Sequence, residues 1–477
     1  MTTSPSAAII VRTPRDIIDY VNDHPTGTSR TRLLALIALG GIFVDAYDFT
    51  SLGLGIGSLT KQWELSAVQV GLLTSVMAFG ALVGALIGGP LVDRVGRYKI
   101  FVIDLILFVV AAIAAALSPN YGFLVVCRFF LGMGVGIDMP ASFSFVAEFT
   151  DRRRKGGYVN FWQAMWYFAV VSAAIIALPI FLAGAGDNLW RWMVGLGAVP
   201  ALIVLLLRLK YTDESPMWAA QNLGLHEAAK ILQNSYQVTV TVDETAPAVT
   251  TAAESPLSRL RELFTPKYRV RTALASIISG TQAAQYFAVG FYIPTIAAVL
   301  FGEDLVASIL ATLVINIFGI IGGILQSLVT ARLGMRRLAA IGYVLIIICT
   351  LGLAIGSDSI SVWLSTGLVA LFVFGQSFGP GPQGKTMAAL SYPTRLRGTG
   401  TGWAESMSRV GSILGFYIFP LLLASLGLAG TMGWLTVIPA VGLIAVLLIK
   451  WDPLRADVEE NAVEQTATDQ DQRKGDR

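Results

Sequence analysis

The 477-residue sequence has few charged residues, cysteines and histidines, and each shortage excludes a class of protein. Only 14% of the residues are Asp, Glu, Lys or Arg, against about 25% in soluble domains, which excludes a soluble enzyme and a disordered regulator. Lys and Arg number 34 against 31 for Asp and Glu, so there is no basic surplus for nucleic acid. Cys127 and Cys349 lie in apolar runs and His24 and His226 in polar stretches, which indicates neither a disulfide framework nor a metal site.

What the sequence does contain is long apolar runs, with 55% hydrophobic residues and a mean hydropathy of +0.67. A membrane-spanning helix needs about 20 apolar residues, and we count twelve such stretches as six plus six. This predicts an all-α polytopic membrane protein with two pseudo-symmetric six-helix bundles. The predicted divisions are an N-terminal tail (1–32), a first bundle (33–210), a central loop with short helices (211–269), a second bundle (270–450) and a disordered tail (451–477).

The Lys and Arg residues between the spans alternate in number from one loop to the next. One set of loops contains Arg94, Lys99, Arg153, Arg332 and Arg395, whereas the other set has little beyond Lys61 and Arg191. Basic loops remain in the cytoplasm. We therefore expect a multi-pass protein of the cell membrane with both termini and the central loop in the cytoplasm.

Two basic turns occur at equivalent places in the two halves and indicate an internal duplication. They are Gly89–Lys99 (GPLVDRVGRYK) after the second span and Gly323–Arg337 (GILQSLVTARLGMRR) after the eighth. The first turn is similar to the signature loop of the major facilitator superfamily, which the chain resembles over about residues 33–450. This resemblance implies alternating access between the two bundles. We interpret four polar residues near these turns as a cytoplasmic gate: Asp93, Arg97, Glu148 and Lys155.

Three further segments resemble the sugar-porter and metabolite:proton symporter branch: Arg128–Gly136 (RFFLGMGVG), Trp190–Trp192 (WRW) and Glu214–Trp218 (ESPMW). Asp45–Asp48 (DAYD) and Gly402–Gly411 (GWAESMSRVG) are instead similar to aromatic-acid and phosphate:proton symporters.

The chain also departs from the sugar-porter pattern at several positions. Lys385 lies where sugar porters place a tryptophan, and the seventh span lacks their paired glutamines and asparagine. Ala331 and Leu390 replace acids that the second half would repeat. These departures predict a substrate other than a sugar and a weaker salt-bridge latch in the second half.

Carboxylates within the spans are candidates for proton coupling, because a charge at mid-bilayer costs about 2.5–3.5 kcal/mol. Asp45 and Asp48 are three residues apart in the first span, and Asp138 lies in the fourth. Two close carboxylates cannot both ionise cheaply, so that one takes up a proton. The alternatives are that one Asp caps a helix break or pairs with a buried cation, with Arg128 or Lys385 as the partner for Asp138.

Buried cations in the second half suggest an anionic substrate. Lys385 lies in a Gly- and Pro-rich part of the tenth span, and Arg409 follows Glu405 by one helical turn. Lys385 could instead snorkel to the interface, and Glu405 could simply neutralise Arg409. The remaining candidate binding residues, which could also just join helices, are Gln163, Gln282, Gln285, Tyr286, Tyr292 and Asn316.

Together these features predict a secondary active transporter, not an enzyme, in which a proton gradient drives the symport of a small organic anion by a monomer without cofactor or metal. The alternatives are a sugar or polyol symporter, a phosphate symporter and an efflux transporter. A membrane receptor has little room for a signalling domain in a central loop of this size. Gly379–Thr386 (GPGPQGKT) matches the phosphate-loop pattern, but it lies within an apolar span rather than between a strand and a helix.

Overall fold

The computed structural model describes residues 9–24, 29–243, 255–290, 292, 293, 296, 305–356, 361–455 and 458. The predicted disorder of the C-terminal tail lies outside the described residues, apart from its first part. There, Pro453–Arg455 forms a 3₁₀ turn, so the chain is still ordered where the tail was expected to begin.

The first half of the chain forms helices α1 to α11. Their bounds are α1 Pro14–Asp23, α2 Ser29–Trp63, α3 Ala67–Val95, α4 Arg97–Ala116, α5 Tyr121–Phe149, α6 Lys155–Asn160, α7 Trp162–Leu182, α8 Leu189–Leu196, α9 Ala198–Tyr211, α10 Pro216–Asn222 and α11 Leu225–Tyr236. A 3₁₀ turn, Gly186–Asn188, precedes α8. The first bundle comprises α2 to α9, with α6–α7 and α8–α9 each forming one interrupted span.

The second half forms helices α12 to α19. Their bounds are α12 Pro256–Glu262, α13 Arg269–Val289, α14 Leu305–Leu333, α15 Met335–Gly356, α16 Val362–Phe378, α17 Pro380–Ser391, α18 Thr394–Leu435 and α19 Val437–Leu448. Helix α18 contains a kink at Gly427, whose φ of 65° and ψ of −174° are not helical. This kink separates the eleventh span from the twelfth.

Ten helical stretches within the described residues are long and apolar enough to cross a membrane. Helix α13 and the first part of α18 complete the twelve-helix arrangement, although neither is among those ten. Helix α13 carries Gln282 and Gln285, and α18 carries Glu405 and Arg409. Both of these spans therefore bring polar side chains into the interior.

The tenth span is broken at Gly379, between α16 and α17. Gly379 has φ and ψ both near −111°, and the following Pro380 has no backbone N–H to continue the helical bonding. A Cβ at Gly379 would lie 2.3 Å from the Cα of Gly342 on α15. The break is thus held by a direct backbone contact with the neighbouring helix.

The N-terminal segment, predicted to be a tail, is folded against the central loop. Strand β1 (Ile9–Val11) pairs in parallel with β2 (Val240–Val242), with Ile9 opposite Val240. Helix α1 buries Ile17 and Val21. This two-stranded sheet is the one departure from an all-α fold among the described residues.

The two bundles are in direct backbone contact on the side of the basic loops, which we call the basic-loop side and define by Arg94, Arg153, Arg332 and Arg395. A Cβ at Gly89 of α3 would lie 2.6 Å from the carbonyl oxygen of Gly398 on α18. Only a residue without a side chain permits this approach. On this side the bundles are closed against each other.

Candidate functional site

Three buried charged side chains of the second bundle form one group at the centre of the molecule. Lys385 Nζ on α17 lies 2.6 Å from Glu405 Oε2 on α18, and Arg409 Nη2 lies 2.5 Å from Glu405 Oε1. Glu405 therefore lies between two cations. Lys385 is only 4% exposed, which excludes the snorkelling alternative.

Aromatic rings of the first bundle cover these cations. Lys385 Nζ lies 4.8 Å from the centroid of the Trp162 ring, and Arg409 Cζ lies 5.2 Å from that of Phe49. Cations within about 6 Å of a ring face are attracted by its electron density. The charged group is thus at the boundary between the two bundles, where alternating access requires a substrate site.

Asp45 on α2 is a carboxylate of the first bundle that interacts with this charged group. It is 2% exposed, and its Oδ2 has no hydrogen-bond partner within the described residues. It interacts electrostatically with Glu405 and Arg409 across the boundary, and with Asp138 and Arg208 in its own bundle. Asp45 with Glu405, Lys385 and Arg409, here called the central group, has a net charge of zero when all four are ionised.

Asp48 does not form the predicted carboxylate pair with Asp45. Its Oδ2 lies 2.6 Å from Arg128 Nη1 on α5, and both side chains are buried. The alternative of pairing with a buried cation therefore applies to Asp48. The expected like-charge repulsion is wrong because α5 supplies a cation to Asp48.

Asp138 pairs with neither Arg128 nor Lys385, contrary to the alternative considered for it. Its Oδ1 accepts a hydrogen bond from Arg208 Nη1 on α9 at 2.9 Å. The same Arg208 Nη1 lies 3.6 Å from Asp104 Oδ1 on α4. The sequence analysis did not single out Asp104 or Arg208, although a charge in an apolar run marks both.

The predicted amides of α13 meet a residue that the sequence analysis did not consider. Gln376 Nε2 on α16 donates to Gln282 Oε1 at 2.8 Å, and Gln285 Nε2 donates to Gln376 Oε1 at 2.6 Å. Gln285 Oε1 and Gln163 Oε1 are buried without a hydrogen-bond partner among the described residues. These two oxygens are available to a ligand hydroxyl or amine.

The remaining predicted binding residues are two tyrosines of the seventh span and one asparagine of the eighth. Tyr286 Oη accepts from Trp166 Nε1 at 3.2 Å. Tyr292 Oη donates to the carbonyl oxygen of Phe416 at 3.2 Å, and Asn316 is buried on α14. Trp166 thus links α7 of the first bundle to α13 of the second, as does the ring contact of Tyr167 with Tyr286.

Three of the four predicted gate residues meet on the basic-loop side. Arg97 Nη2 lies 2.8 Å from Glu148 Oε1 and 3.3 Å from Asp93 Oδ1. The second bundle adds Arg397, whose Nη1 lies 2.9 Å from Glu148 Oε1. The fourth, Lys155, donates from its Nζ to Asn22 Oδ1 at 2.7 Å.

Asp93 also joins the two bundles through the start of α18. Its Oδ1 accepts from the backbone N–H of Gly398 at 2.9 Å. Its Oδ2 accepts from the N–H of Thr399 at 2.7 Å and from Thr399 Oγ1 at 2.8 Å. Charge-assisted hydrogen bonds of this kind are stronger than neutral ones, so that Asp93 favours the closed arrangement.

A second contact between the bundles is uncharged. Asn160 Nδ2 at the end of α6 donates to Thr330 Oγ1 at 3.0 Å and to Gln383 Oε1 at 3.3 Å. Gln326 Nε2 donates to the carbonyl oxygen of Asn160 at 2.8 Å. Amides and a hydroxyl therefore close this side of the gate in place of ion pairs.

The central loop binds the first bundle next to the gate. Glu214 accepts hydrogen bonds from the backbone N–H groups of Arg97 and Tyr98, which are the unpaired donors at the start of α4. Burial raises the pKa of the Glu214 carboxyl, and the N–H donors of Ser215 and Arg97 oppose this rise. Trp218 Nε1 donates to the carbonyl oxygen of Asp93 at 2.8 Å.

The described part of the chain has no group of three or more His, Cys, Asp or Glu side chains placed to hold a metal ion. The side chains that meet at the central group and beside it are ionised groups, amides and aromatic rings.

Curated relatives cover most of the chain at moderate identity. The chain is 28% identical over 404 residues (84% of this chain and 87% of the relative) to the putative metabolite transport protein YaaU of Escherichia coli. It is 26% identical to the arabinose-proton symporter of Bacillus subtilis, covering 88% of this chain and 92% of that protein. It is also 26% identical to the niacin transporter NiaP of Acinetobacter baylyi, covering 83% and 88%.

A solved structure with the same fold is that of the major facilitator superfamily proton:xylose symporter XylE of E. coli. It matches with a TM-score of 0.74 at 19% identity, over 88% of this chain and 95% of that chain. The two six-helix bundles and their arrangement are thus those of this superfamily. The family model described as sugar (and other) transporter matches residues 22–451, and the chain belongs to that family of multi-pass membrane transporters.

Proposed function

We propose that the protein is a proton-coupled symporter for small monocarboxylates. The observation that carries this proposal is the charge balance of the central group. With Asp45 and Glu405 ionised beside Lys385 and Arg409, the group is neutral. A proton on Asp45 leaves a charge of +1, which one carboxylate substrate neutralises. Proton and anion are thus favoured together, because an uncompensated charge is costly in a low-dielectric interior.

The cycle follows from this balance. The empty and the fully loaded central group are both neutral, whereas a group holding the proton alone or the anion alone is charged. Rocking of the bundles with an uncompensated buried charge is disfavoured. Only the empty and the doubly loaded protein therefore change between the inward-open and outward-open states, which is the requirement for coupled transport.

The aromatic rings support a carboxylate that is attached to an apolar body. Trp162 and Phe49 face the two cations, and Phe287 packs near Phe49 with ring centroids 6.4 Å apart. Niacin, which appears in the name of one relative, is an aromatic monocarboxylic acid. A planar acid would place its carboxylate on Lys385 or Arg409 and its ring among these side chains.

The orientation proposed from the basic loops places both termini and the closed gate in the cytoplasm of a cell membrane. Uptake is then driven by a proton gradient directed inward. One chain contains both bundles and the whole central group, so that a monomer is the proposed working unit.

A sugar:proton symporter is the second candidate, and the relative named for arabinose favours it. Gln163 Oε1 and Gln285 Oε1, which are buried without partners among the described residues, could accept hydrogen bonds from sugar hydroxyls. A neutral sugar carried with a proton moves net charge, whereas a monocarboxylate carried with a proton does not. The two candidates therefore differ in their response to membrane potential.

The test is uptake into proteoliposomes with an imposed inward proton gradient and a potential clamped by potassium and valinomycin. Labelled benzoate, nicotinate, phosphate, xylose and arabinose are compared, and protein-free liposomes correct for passive entry of the uncharged acids. We expect a carboxylate to accumulate at a rate that the clamped potential does not change. Xylose or arabinose uptake that increases with an inside-negative potential would reject the carboxylate in favour of the sugar.

Three variants link the result to the central group. Asp45→Asn is expected to abolish accumulation driven by the proton gradient, and Lys385→Gln and Arg409→Gln to abolish carboxylate uptake. Asp187→Asn changes an exposed carboxylate between α7 and α8 and is the matched control with normal uptake. Full activity of Asp45→Asn would show that the proton binds elsewhere.

A further inference from the structure

A second buried ionic group lies in the first bundle and contains one more acid than base. Arg208 Nη1 contacts Asp138 Oδ1 at 2.9 Å and Asp104 Oδ1 at 3.6 Å, and Ser142 Oγ donates to Asp138 Oδ2 at 2.9 Å. Arg208 Nη2 donates to the carbonyl oxygen of Ala38 at 3.0 Å. Helices α2, α4, α5 and α9 all contribute to this group.

The charge of this group is not balanced when both of its acids are ionised. Arg208 is 0% exposed, Asp104 is 2% exposed and Asp138 is 3% exposed, and Asp104 Oδ2 has no hydrogen-bond partner within the described residues. Two carboxylates that share one cation in a low-dielectric site leave one buried negative charge uncompensated, and one proton held by the pair removes that charge. The neutral form is one carboxylate, one carboxylic acid and one guanidinium.

The group lies on the basic-loop side of Asp45. Ala38, which accepts from Arg208, precedes Asp45 by seven residues, or roughly 10 Å along the helix at 1.5 Å per residue. Asp104 follows the start of α4 at Arg97 by seven residues as well. The group therefore lies between Asp45 and the loops that close the gate.

Asp138 on α5 lies against the face of α2 that carries Asp45. A Cβ built on Gly41 would lie 2.3 Å from Asp138 Oδ2 and 2.6 Å from Arg208 Nη2, so that this glycine allows the ion pair to touch α2. Asp45 follows Gly41 by four residues, which is one helical turn on the same face. The charged groups that face Asp45 are Asp138 and Arg208 from its own bundle and Glu405 and Arg409 from the other.

We propose that Asp104, Asp138 and Arg208 form a resident proton site that passes the coupled proton from Asp45 to the basic-loop side. The proton leaves the Asp45 carboxyl group and binds the Asp138 carboxylate, while the resident proton leaves the Asp104 carboxyl group for water. The proton then returns from Asp138 to Asp104, and Arg208 stays charged throughout. The group holds one proton before and after, so that charge and protons balance.

This arrangement separates the route of the proton from that of the substrate. The substrate leaves between the bundles when the gate opens, whereas the proton moves within the first bundle. The resident proton depends only on the charges described here, and the transfer step rests on the proposed function. Two experiments test these two parts separately.

The resident proton is tested by infrared spectroscopy of the purified protein at neutral pH without substrate. We expect the carbonyl stretch of a protonated carboxylic acid, which shifts in D₂O and is lost in both Asp104→Asn and Asp138→Asn, because the remaining Asp then pairs with Arg208 as an anion. Asp45→Asn should retain the band, since the proposed charge balance leaves Asp45 ionised in the empty protein. A band that persists in both Asp104→Asn and Asp138→Asn would overturn the resident proton.

The transfer is tested by comparing net uptake with substrate exchange, because exchange requires no release of the proton. In Asp104→Asn we expect uptake driven by the proton gradient to fall by about a hundredfold or more, in the range that loss of a proton-transfer group produces, with exchange nearly unchanged. Asp104→Glu, which keeps the acid, should restore net uptake. Unchanged net uptake in Asp104→Asn, or a parallel loss of uptake and exchange in both variants, would reject the transfer.

These outcomes are distinguishable from failure of the proposed function. If the wild-type protein carries a sugar instead, the comparison of net uptake and exchange is made with that sugar and has the same meaning. If wild-type uptake ignores the proton gradient, both the proposed function and the transfer step fail. The infrared bands of Asp104→Asn and Asp138→Asn still decide whether the site holds a proton.

Discussion

At the scale of single residues, three groups of buried charges in the described part of the chain lie apart from the gate. Asp48 and Arg128 are a simple pair, Asp104 and Asp138 share Arg208, and the central group contains two acids and two bases. A buried ion pair contributes little net stability, but loss of one partner costs about 3–5 kcal/mol because the other charge stays buried. Each group is thus sensitive to the loss of any one member.

The central group provides a direct test of this sensitivity. Glu405→Gln leaves Lys385 and Arg409 buried beside each other without the carboxylate that contacts both, and we expect roughly 3 kcal/mol of destabilisation. Lys385→Met added to Glu405→Gln removes one of the two opposed cations, so the double variant should be more stable than Glu405→Gln alone. Thermal unfolding in detergent measures both.

The double variant also separates stability from function. It should regain thermal stability without regaining carboxylate uptake, because Lys385 is a proposed substrate contact. A double variant that is less stable than Glu405→Gln would mean that Glu405 does not stabilise the protein by neutralising Lys385 and Arg409.

The sequence identified most of the charged residues of the site but only some of their partners. Asp45, Asp48 and Asp138 were recognisable as charges in apolar runs, and Lys385, Glu405 and Arg409 likewise. Asp45 and Asp48 were expected to repel each other, and only the packing of α5 against α2 shows that Asp48 has its own cation. Spacing along one helix indicated the pairing of Glu405 with Arg409, whereas the partners of Asp48, Asp138 and Lys385 come from other helices.

At the scale of elements, apolar length predicted the spans, and Gly and Pro predicted where one of them breaks. The break at Gly379 separates α16 from α17, which carries Lys385. What local patterns could not predict is the pairing of β1 with β2, because these strands are more than 200 residues apart in sequence. A three-residue strand has too little local signal to identify its distant partner.

The broken span provides a test at this scale. Gly379→Ala places a Cβ 2.3 Å from the Cα of Gly342, and backbone atoms cannot yield as a side chain would. We expect α15 and α16 to separate locally and Lys385 to shift. The KM for the carboxylate should therefore rise, while the expression level of the variant stays close to that of the wild-type protein. Gly367→Ala on the same helix meets no atom within 4 Å and is the matched control.

A Gly379→Ala variant with normal transport kinetics would show that the α15–α16 contact does not position Lys385. An equal rise in KM for Gly367→Ala would show that the effect comes from a less flexible helix rather than from the contact with Gly342.

At the scale of the whole molecule, the gate is asymmetric. Ion pairs centred on Arg97 and Glu148 close one side, and the amide of Asn160 with Thr330 and Gln383 closes the other. The sequence predicted part of this, since Ala331 and Leu390 replace acids in the second half. It could not predict the amides that occupy the interface, because no local pattern distinguishes them from helix-packing residues.

The asymmetry predicts that the charged side of the gate contributes more to the closed arrangement than the amide side. Asp93 accepts three hydrogen bonds from Gly398 and Thr399 of the other bundle. Hydrogen bonds to charged groups contribute about 1.5–3 kcal/mol each and neutral ones about 1 kcal/mol. Asp93→Asn should thus open the basic-loop side more than Asn160→Ala does.

Distances between spin labels on the two bundles measure this opening. Cysteines introduced at the exposed positions Arg153 and Arg332 accept the labels, whereas the native Cys127 and Cys349 are buried. A loss of about 2 kcal/mol shifts the balance between closed and open forms roughly thirtyfold, since about 1.4 kcal/mol corresponds to tenfold. We expect a longer label distance to become populated in Asp93→Asn, to a smaller extent in Asn160→Ala, and not in Asp187→Asn. A larger shift in Asn160→Ala than in Asp93→Asn would show that the amides, rather than the ion pairs, hold the bundles closed.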